Sequence, residues 1–295
     1  MLSGRLCRRG VLVRNAASLF LLCCIALVSV LPLLVTITNA FMSPAEAAGA
    51  YDGSAADGGR LRLHLVPERV VLSQFYEVLV ASPRYLVQFW NSVFLVVPIL
   101  AGHIVVGSMA AYAFSMLMFR GRDLLFFVYI VTMLMPFQVT LVPNFLVADA
   151  LHLVGSYSSI ILPGIFQTFG VFLLRQFMAF IPAEVIAAGK VDGATHGMIL
   201  TRIVLPLSKA GLASLAILLF VDNWNMVEQP LVFLRDPGRW PLSVFLSSLN
   251  RGQRGVAFSA AVVYMLPMLL VFLHGERHLV RGIRATGLAG SEYGR

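Results

Sequence analysis

The chain reads Glu184-Val-Ile-Ala-Ala-Gly-Lys-Val-Asp-Gly-Ala-Thr195 between two long apolar runs, and Ile203-Val-Leu-Pro206 follows ten residues after Gly193. Pro182 can open a short helix in this polar segment, Glu184 favours the positive end of that helix, and Gly193 can break it. The pattern predicts a helical stub that presents one face to a cleft. A soluble partner that binds such a short helix could displace the apolar helices connected to it.

The composition around this segment is typical of an integral membrane protein. Mean hydropathy is +0.85, and of the 295 residues 59% are apolar and 12% are charged. So few polar residues cannot cover the surface of a soluble globule, whereas helices that face lipid need no such cover.

Six apolar runs are long enough to cross about 30 Å of hydrocarbon at about 1.5 Å per residue. They lack the alternation of barrel strands, and backbone groups in lipid must be paired within the segment, so all six are predicted to be helices. The predicted fold class is an all-α polytopic membrane protein with spans at residues 16–38, 89–118, 124–147, 158–174, 210–221 and 256–273. The fifth run is short and must borrow residues from 205–207 or from 222–224.

The basic residues are unevenly distributed about these spans. With six spans, both termini and the loops after spans two and four share one side, which holds 14 of the 22 basic residues and 5 of the 14 acidic ones. The positive-inside rule places that side in the cytoplasm, so the pI of about 9.9 needs no nucleic acid as a partner. The predicted organisation is a cytoplasmic tail at 1–15, the first span at 16–38, an external loop at 39–88, a core of five spans at 89–274 with a cytoplasmic loop at 175–209, and a cytoplasmic tail at 275–295.

Two interpretations of the amino-terminal region stay open. Arg8 and Arg9 before an apolar run, with Ala45-Glu-Ala47 and Ala48-Gly-Ala50 further on, could form a cleaved secretory signal. The apolar run at 16–38 is longer than a signal core of roughly 7 to 15 residues, which favours an uncleaved first helix.

The external segments differ in character. Residues 45–60 are rich in Ala, Gly and Asp without periodicity, which predicts a flexible loop, whereas apolar residues at helical spacing predict a short surface helix over 67–80. The breakers in 225–255, which are Pro230, Asp236-Pro-Gly238 and Trp240-Pro241, favour a compact loop over a seventh span.

Catalytic and nucleotide-binding signatures are absent from the sequence. The Gly189-Lys190 step is followed by Val191 and has Glu184 where a phosphate-binding loop needs glycine, so the chain has no Walker A motif and does not hydrolyse ATP itself. His274 and His278 have a spacing that can hold a metal, but beside two arginines they indicate a basic helix end at the lipid headgroups. We therefore expect no metal site and no enzymatic activity.

Polar residues at membrane depth are scarce, and each either bonds a neighbouring helix or lines a path for solute. Asp222, at the outer end of span five, either lines a watery vestibule or pairs with Arg235 or Arg239. The candidate translocation path consists of His103, Gln138, Asn144, Gln167, Asp222, Trp224 and Asn225.

Several short motifs occur in a fixed order between about residue 89 and residue 249. They are Phe89-Trp-Asn-Ser92, Gly107-Ser-Met-Ala-Ala-Tyr-Ala-Phe114, Phe119-Arg-Gly-Arg122, Phe172-Leu-Leu-Arg-Gln-Phe177, Ile181-Pro182, Asp192-Gly-Ala194, Arg202-Ile-Val-Leu-Pro-Leu207 and Trp224-Asn225. In this order and at this spacing the motifs resemble those of the maltose-type family of carbohydrate permeases, which are subunits of ATP-binding cassette (ABC) importers.

The resemblance implies a six-helix permease of the type I importer architecture that forms half of a translocation path for a sugar or oligosaccharide in the bacterial cell membrane. It also implies a second permease subunit in a heterodimer, two ATPase subunits that bind and hydrolyse ATP, and an external solute-binding protein. This chain itself would then need no cofactor. The ATPase would couple through Glu184, Ala187, Ala188, Gly189, Asp192, Gly193, Ala194, Leu205 and Pro206.

The chain departs from the family pattern at two places. Aligned on Asp192-Gly193, the family's Glu-Ala-Ala triplet falls on Ala187-Ala188-Gly189, so its acid is missing and Glu184, one turn earlier, is the residue that could substitute. The second departure is a polar set where aromatic or apolar residues are more usual: Asp222, Glu228 and Gln229. Two other functions stay open, a permease of the same architecture for an amino acid, phosphate or polyamine, and a membrane-embedded enzyme or receptor.

Overall fold

The computed structural model describes the backbone of residues 3–46, 67–248 and 254–292, and the side chains within 18–46, 67–248 and 256–275. Every regular element in these ranges is helical, which confirms the predicted all-α class. The chain divides into two compact units, one of residues 1–83 and 249–264 and one of residues 84–248 and 265–295. From residue 47 onward, the flexible loop predicted at 45–60 lies outside the described residues.

The described α-helices are numbered in chain order. They are α1 (Ser3–Ala40), α2 (Ser73–Tyr76), α3 (Pro83–Met116), α4 (Arg122–Met133), α5 (Phe137–Ala150), α6 (Ser158–Ile165), α7 (Thr168–Ala179), α8 (Ala183–Val191), α9 (His196–Ile199), α10 (Leu205–Leu207), α11 (Lys209–Trp224), α12 (Glu228–Phe233), α13 (Leu242–Ser248) and α14 (Arg254–Glu292). Two π-helices, Glu77–Ala81 and Leu200–Val204, and a 3-10 turn, Pro237–Arg239, complete the set.

Four helical stretches are long and apolar enough to cross a membrane by themselves: Ser18–Ala40, Pro83–Met116, Ser158–Ala179 and Val256–Gly275. Two bent pairs pass the same test together. These are α4 with α5, bent by 103°, and residues His196–Leu207 with α11, bent by 79°. The described helices therefore give four spans, or six if each bent pair counts as one.

The uninterrupted helix predicted at 124–147 is wrong, because α4 ends at Met133 and α5 begins at Phe137. Pro136 has no N–H to donate, and a residue that precedes proline is disfavoured in the α region, so the helix breaks here. The short fifth run takes up residues 222–224, since α11 extends to Trp224.

The first unit shows where the predicted surface helix over 67–80 begins. The N–H of Val71 donates to the carbonyl of Phe41 at 2.9 Å, and helix begins only at Ser73. The buried amide of Gln74 donates to the carbonyl of Met42 at 2.7 Å. These bonds bind the end of α1 to α2, so the six residues before Ser73 are not helical.

The core of the second unit contains two apolar clusters. One joins α3, α7, α8, α9 and α11 through buried residues that include Ala111, Leu174, Ile186, Ile199 and Leu215. The other joins α3, α5, α6 and α12 and includes Leu95, Ile160 and Phe233. The segment after α11 forms only short helices up to Ser248, as the proline-rich sequence predicts.

Candidate coupling segment and polar cleft

The predicted helical stub is present as α8. Pro182 precedes it in extended backbone, and Gly193 follows it with a φ of +77°. The N–H of Gly193 donates to the carbonyl of Lys190 and the N–H of Ala194 donates to that of Gly189, both at 3.0 Å. This pair of bonds is a Schellman cap, which needs the left-handed backbone that glycine adopts at least cost.

One face of α8 is packed and the other is exposed. Ile186 and Gly189 are buried, and a Cβ on Gly189 would lie 2.9 Å from Cδ1 of Ile203. This close approach holds α8 against the π-helix that leads through Leu205 and Pro206 to α11. The exposed residues of α8 and its cap are Ala183, Glu184, Val185, Ala187, Ala188, Lys190, Val191, Asp192 and Gly193.

Glu184 and Ala187 lie three residues apart on α8, so their side chains share one face. Both are exposed, and Ala187 also lines a cleft of about 550 Å³ together with Lys190 and with Ser115 and Met116 of α3. The carboxylate of Glu184 is therefore available on the same exposed face as the position from which the family's acid is missing.

A second contact connects the candidate coupling segment, residues 175–209, to α3. The hydroxyl of Tyr112 lies 2.9 Å from Nδ1 of His196, and the two rings meet edge to face. Thr195 caps α9 by accepting the N–H of Met198 at 3.4 Å. The segment that carries α8 thus contacts α3 as well as the helix that follows it.

A polar cleft of about 570 Å³ lies at the other end of α11. Its lining combines two carboxylates, Asp222 and Glu228, with five amides and four apolar side chains. The amides are those of Gln138, Gln167, Asn223, Asn225 and Gln229. A volume of this size is within the range of about 300 to 1,000 Å³ that is usual for small-molecule sites.

Hydrogen bonds hold part of this lining in place. The Gln138 amide donates to Oε2 of Glu228 at 3.2 Å, which links α5 to α12. The Gln167 amide donates to Oδ1 of Asn223 at 3.4 Å, which links α7 to α11. The remaining amide capacity of the lining can bond hydroxyl groups of a solute.

The cleft lies where helices are interrupted. Pro136 and Gln167 both have extended backbone with ψ of 140°, and α5 and α7 begin immediately after them. Irregular backbone at membrane depth is tolerated where it lines a cavity, because water or solute can satisfy the free polar groups. Both breaks are therefore expected at a site that contacts solute.

Three of the candidate path residues do not line this cleft. His103 is fully buried and donates from Nδ1 to the carbonyl of Ile165 at 2.9 Å. Trp224 is 2% exposed and stacks on Phe220 with ring centroids 5.2 Å apart. Asn144 is half-buried in α5. The cleft brings together the other four candidates.

The ion pair proposed between Asp222 and an arginine is not formed. Arg239 lies 3.9 Å from the Asp236 carboxylate and donates to the carbonyl of Gly155 at 2.9 Å. Among the described residues Asp222 has no salt bridge. Asn223 lines the cleft but was absent from the predicted path, although its place beside Asp222 at the end of an apolar helix is a usable signal.

No group of three or more His, Cys, Asp or Glu side chains suited to a metal occurs in the ranges that the structure describes. His274 is exposed at the end of the span Val256–Gly275.

Residues 103–285 match the profile of the family described as the binding-protein-dependent transport system inner membrane component. The chain belongs to this family, so it is a transport permease of the inner membrane and not an enzyme. The resemblance to ABC importer permeases is confirmed.

Individual proteins extend this comparison. The arabinooligosaccharides transport system permease protein AraQ of Halalkalibacterium halodurans is 29% identical over 227 residues, 76% of this chain and 81% of that protein. The osmoprotective compounds uptake permease protein GgtD of Synechocystis sp. is 36% identical over 209 residues, 69% of either chain. The fold is similar to that in a crystal structure of a bacterial ABC transporter involved in the import of the acidic polysaccharide alginate, with a TM-score of 0.78 and 22% identity over 90% of this chain and 96% of that one.

Proposed function

We propose that the chain is the permease subunit of an ATP-driven importer for a sugar or oligosaccharide, that the polar cleft lines its translocation path, and that α8 docks on an ATPase subunit. The observation that carries this proposal is the position of α11. The helix begins at Lys209, three residues after Pro206, and its far end supplies Asp222 and Asn223 to the cleft.

A continuous helix can transmit a displacement from one of these sites to the other. The 16 residues of α11 span about 24 Å at about 1.5 Å per residue. Because α8 is packed against the segment that leads into α11, movement of a docked ATPase shifts α11 and with it one wall of the cleft. ATP is then bound and hydrolysed by the partner subunits.

The chemistry of the solute and the partners follows from the cleft and the relatives. Amide groups in the lining suit a hydroxylated solute, and AraQ is named for arabinooligosaccharides.

The complete importer contains a second permease in a heterodimer, two ATPase subunits and an external solute-binding protein, with both termini of this chain in the cytoplasm. Import of an osmoprotective compound is the second candidate, favoured by the 36% identity to GgtD.

The test is Gly193→Pro in the reconstituted complex. Gly193 has a φ of +77° that proline cannot adopt, so the cap of α8 is lost while the spans stay intact. We expect stimulated ATP turnover and uptake to fall at least about tenfold. Gly121→Pro is the matched control, since Gly121 has a φ of +82° outside the coupling segment. Full uptake with Gly193→Pro would show that α8 does not transmit force.

A further inference from the structure

We infer that the polar cleft selects against anionic solutes, so that the imported sugar is uncharged or carries amino groups. The inference rests on the proposed function, which puts the cleft on the translocation path. Family membership leaves the charge of the solute open, because arabinooligosaccharides have no ionised groups whereas alginate is acidic.

The first observation is the charge of the lining. Asp222 and Glu228 are both exposed to the cleft, and no Lys, Arg or His is among the described residues that line it. An anionic solute needs donors that match its charge, most often arginine or lysine. The amides can bond a hydroxyl group but cannot neutralise a carboxylate or a phosphate.

The second observation is that nothing in the described part of the chain compensates the two carboxylates. Glu228 accepts two contacts from the neutral amide of Gln138, at 3.2 and 3.4 Å. Of the two candidates from the sequence, Arg239 pairs with Asp236 instead, and Arg235 forms no salt bridge with either carboxylate among the described residues. Both negative charges therefore act on a solute in the cleft.

Helix dipoles oppose this field but do not reverse it. The amino ends of α5, α7 and α12 lie at the cleft and contribute at most about +0.5 charge each, whereas the carboxyl end of α11 contributes about −0.5. Two full carboxylate charges outweigh these partial charges. The net field in the cleft is negative, so it repels anions and attracts cations.

The test measures this field without knowledge of the natural solute. Gln229→Cys places a thiol in the lining of a chain whose three native cysteines are replaced by serine. In the assembled complex, its reaction rates with a cationic trimethylammonioethyl and an anionic sulfonatoethyl methanethiosulfonate are compared, each relative to 2-mercaptoethanol. We expect the cationic reagent to be favoured about tenfold.

Two sets of changes show where the preference originates. Asp222→Asn with Glu228→Gln should bring the rate ratio close to that of 2-mercaptoethanol. Asp149→Asn removes an exposed carboxylate of α5 that does not line the cleft, and it should leave the ratio unchanged. Equal rates for both reagents in the unmodified lining, or a preference that survives the double change, would overturn the inference.

The same assay, repeated with ATP and vanadate, separates this inference from the proposed function. Rates that change with nucleotide while the cation preference holds support both. Nucleotide-dependent rates without the preference overturn only the selectivity. Rates that do not change with nucleotide would show that the cleft takes no part in the transport cycle. That result would overturn the proposed path and the selectivity together.

Discussion

At the scale of single residues, the side chain of His103 packs between neighbouring helices. It lies fully buried in α3, and a Cβ on Gly170 of α7 would be 1.9 Å from its Nε2 and 2.8 Å from Cδ1 of Leu215. Only glycine at position 170 lets the imidazole fit between α7 and α11. The sequence showed a polar side chain in a span, but its neighbour lies 67 positions away, so the path and packing interpretations could not be separated from sequence alone.

A methyl group at this contact should destabilise the permease. We expect Gly170→Ala to cost about 1 to 3 kcal/mol, since the displaced imidazole cannot repack freely, and to lower the melting temperature of the purified complex by several degrees. Removing the imidazole as well, with His103→Ala, should recover part of the loss. Gly197→Ala is the control, because a Cβ there meets no described atom within 4 Å. An unchanged melting temperature for Gly170→Ala would contradict this packing.

At the scale of elements, α8 was predictable because its signals are local. Pro182 and Gly193 lie in the sequence immediately beside the helix that they begin and end. The polar cleft depends instead on contacts between distant positions, such as Gln138 with Glu228, 90 residues apart. The break at Pro136 is not evident from the hydropathy of the sequence, because the apolar run continues on both sides of it.

The exposed face of α8 should bind its ATPase partly through Glu184. Glu184→Lys reverses a charge on that face and should weaken co-purification of the ATPase roughly twofold to fivefold, the usual range for about 0.5 to 1 kcal/mol at an exposed ion pair. Adding Ala187→Glu puts an acid back on the same face and should restore binding. Asp123→Lys changes an exposed acid outside α8 and serves as the control. Undiminished binding by Glu184→Lys would exclude Glu184 as a substitute for the missing acid.

At the scale of the whole molecule, the two bent pairs decide the topology. If α4 with α5 and residues His196–Leu207 with α11 each cross the membrane, the chain has six spans and α8 lies on the same side as both termini. If neither pair crosses, four spans place α8 on the opposite side, together with the segment after α13. The distribution of basic residues favours six.

Cysteine labelling distinguishes these topologies. Thiols introduced at Gly58 and Gly252, which lie outside the described residues, should react with an impermeant reagent in intact cells. A thiol at Thr195 should react only after the membrane is permeabilised, because the positive-inside rule places that loop in the cytoplasm. Labelling of Thr195 from outside would favour the four-span arrangement.

The continuity of α11 also constrains how the chain can change by insertion or deletion. Each added residue rotates the rest of a helix by about 100° and lengthens it by about 1.5 Å. One inserted alanine would therefore move Asp222 into the buried place that Asn223 now has, and bring the apolar Val221 to the exposed place of Asp222. Substitutions near residue 222 can change which solute the cleft accepts without changing the end of α11 near Lys209. A change in the length of α11 instead changes the position of one end relative to the other.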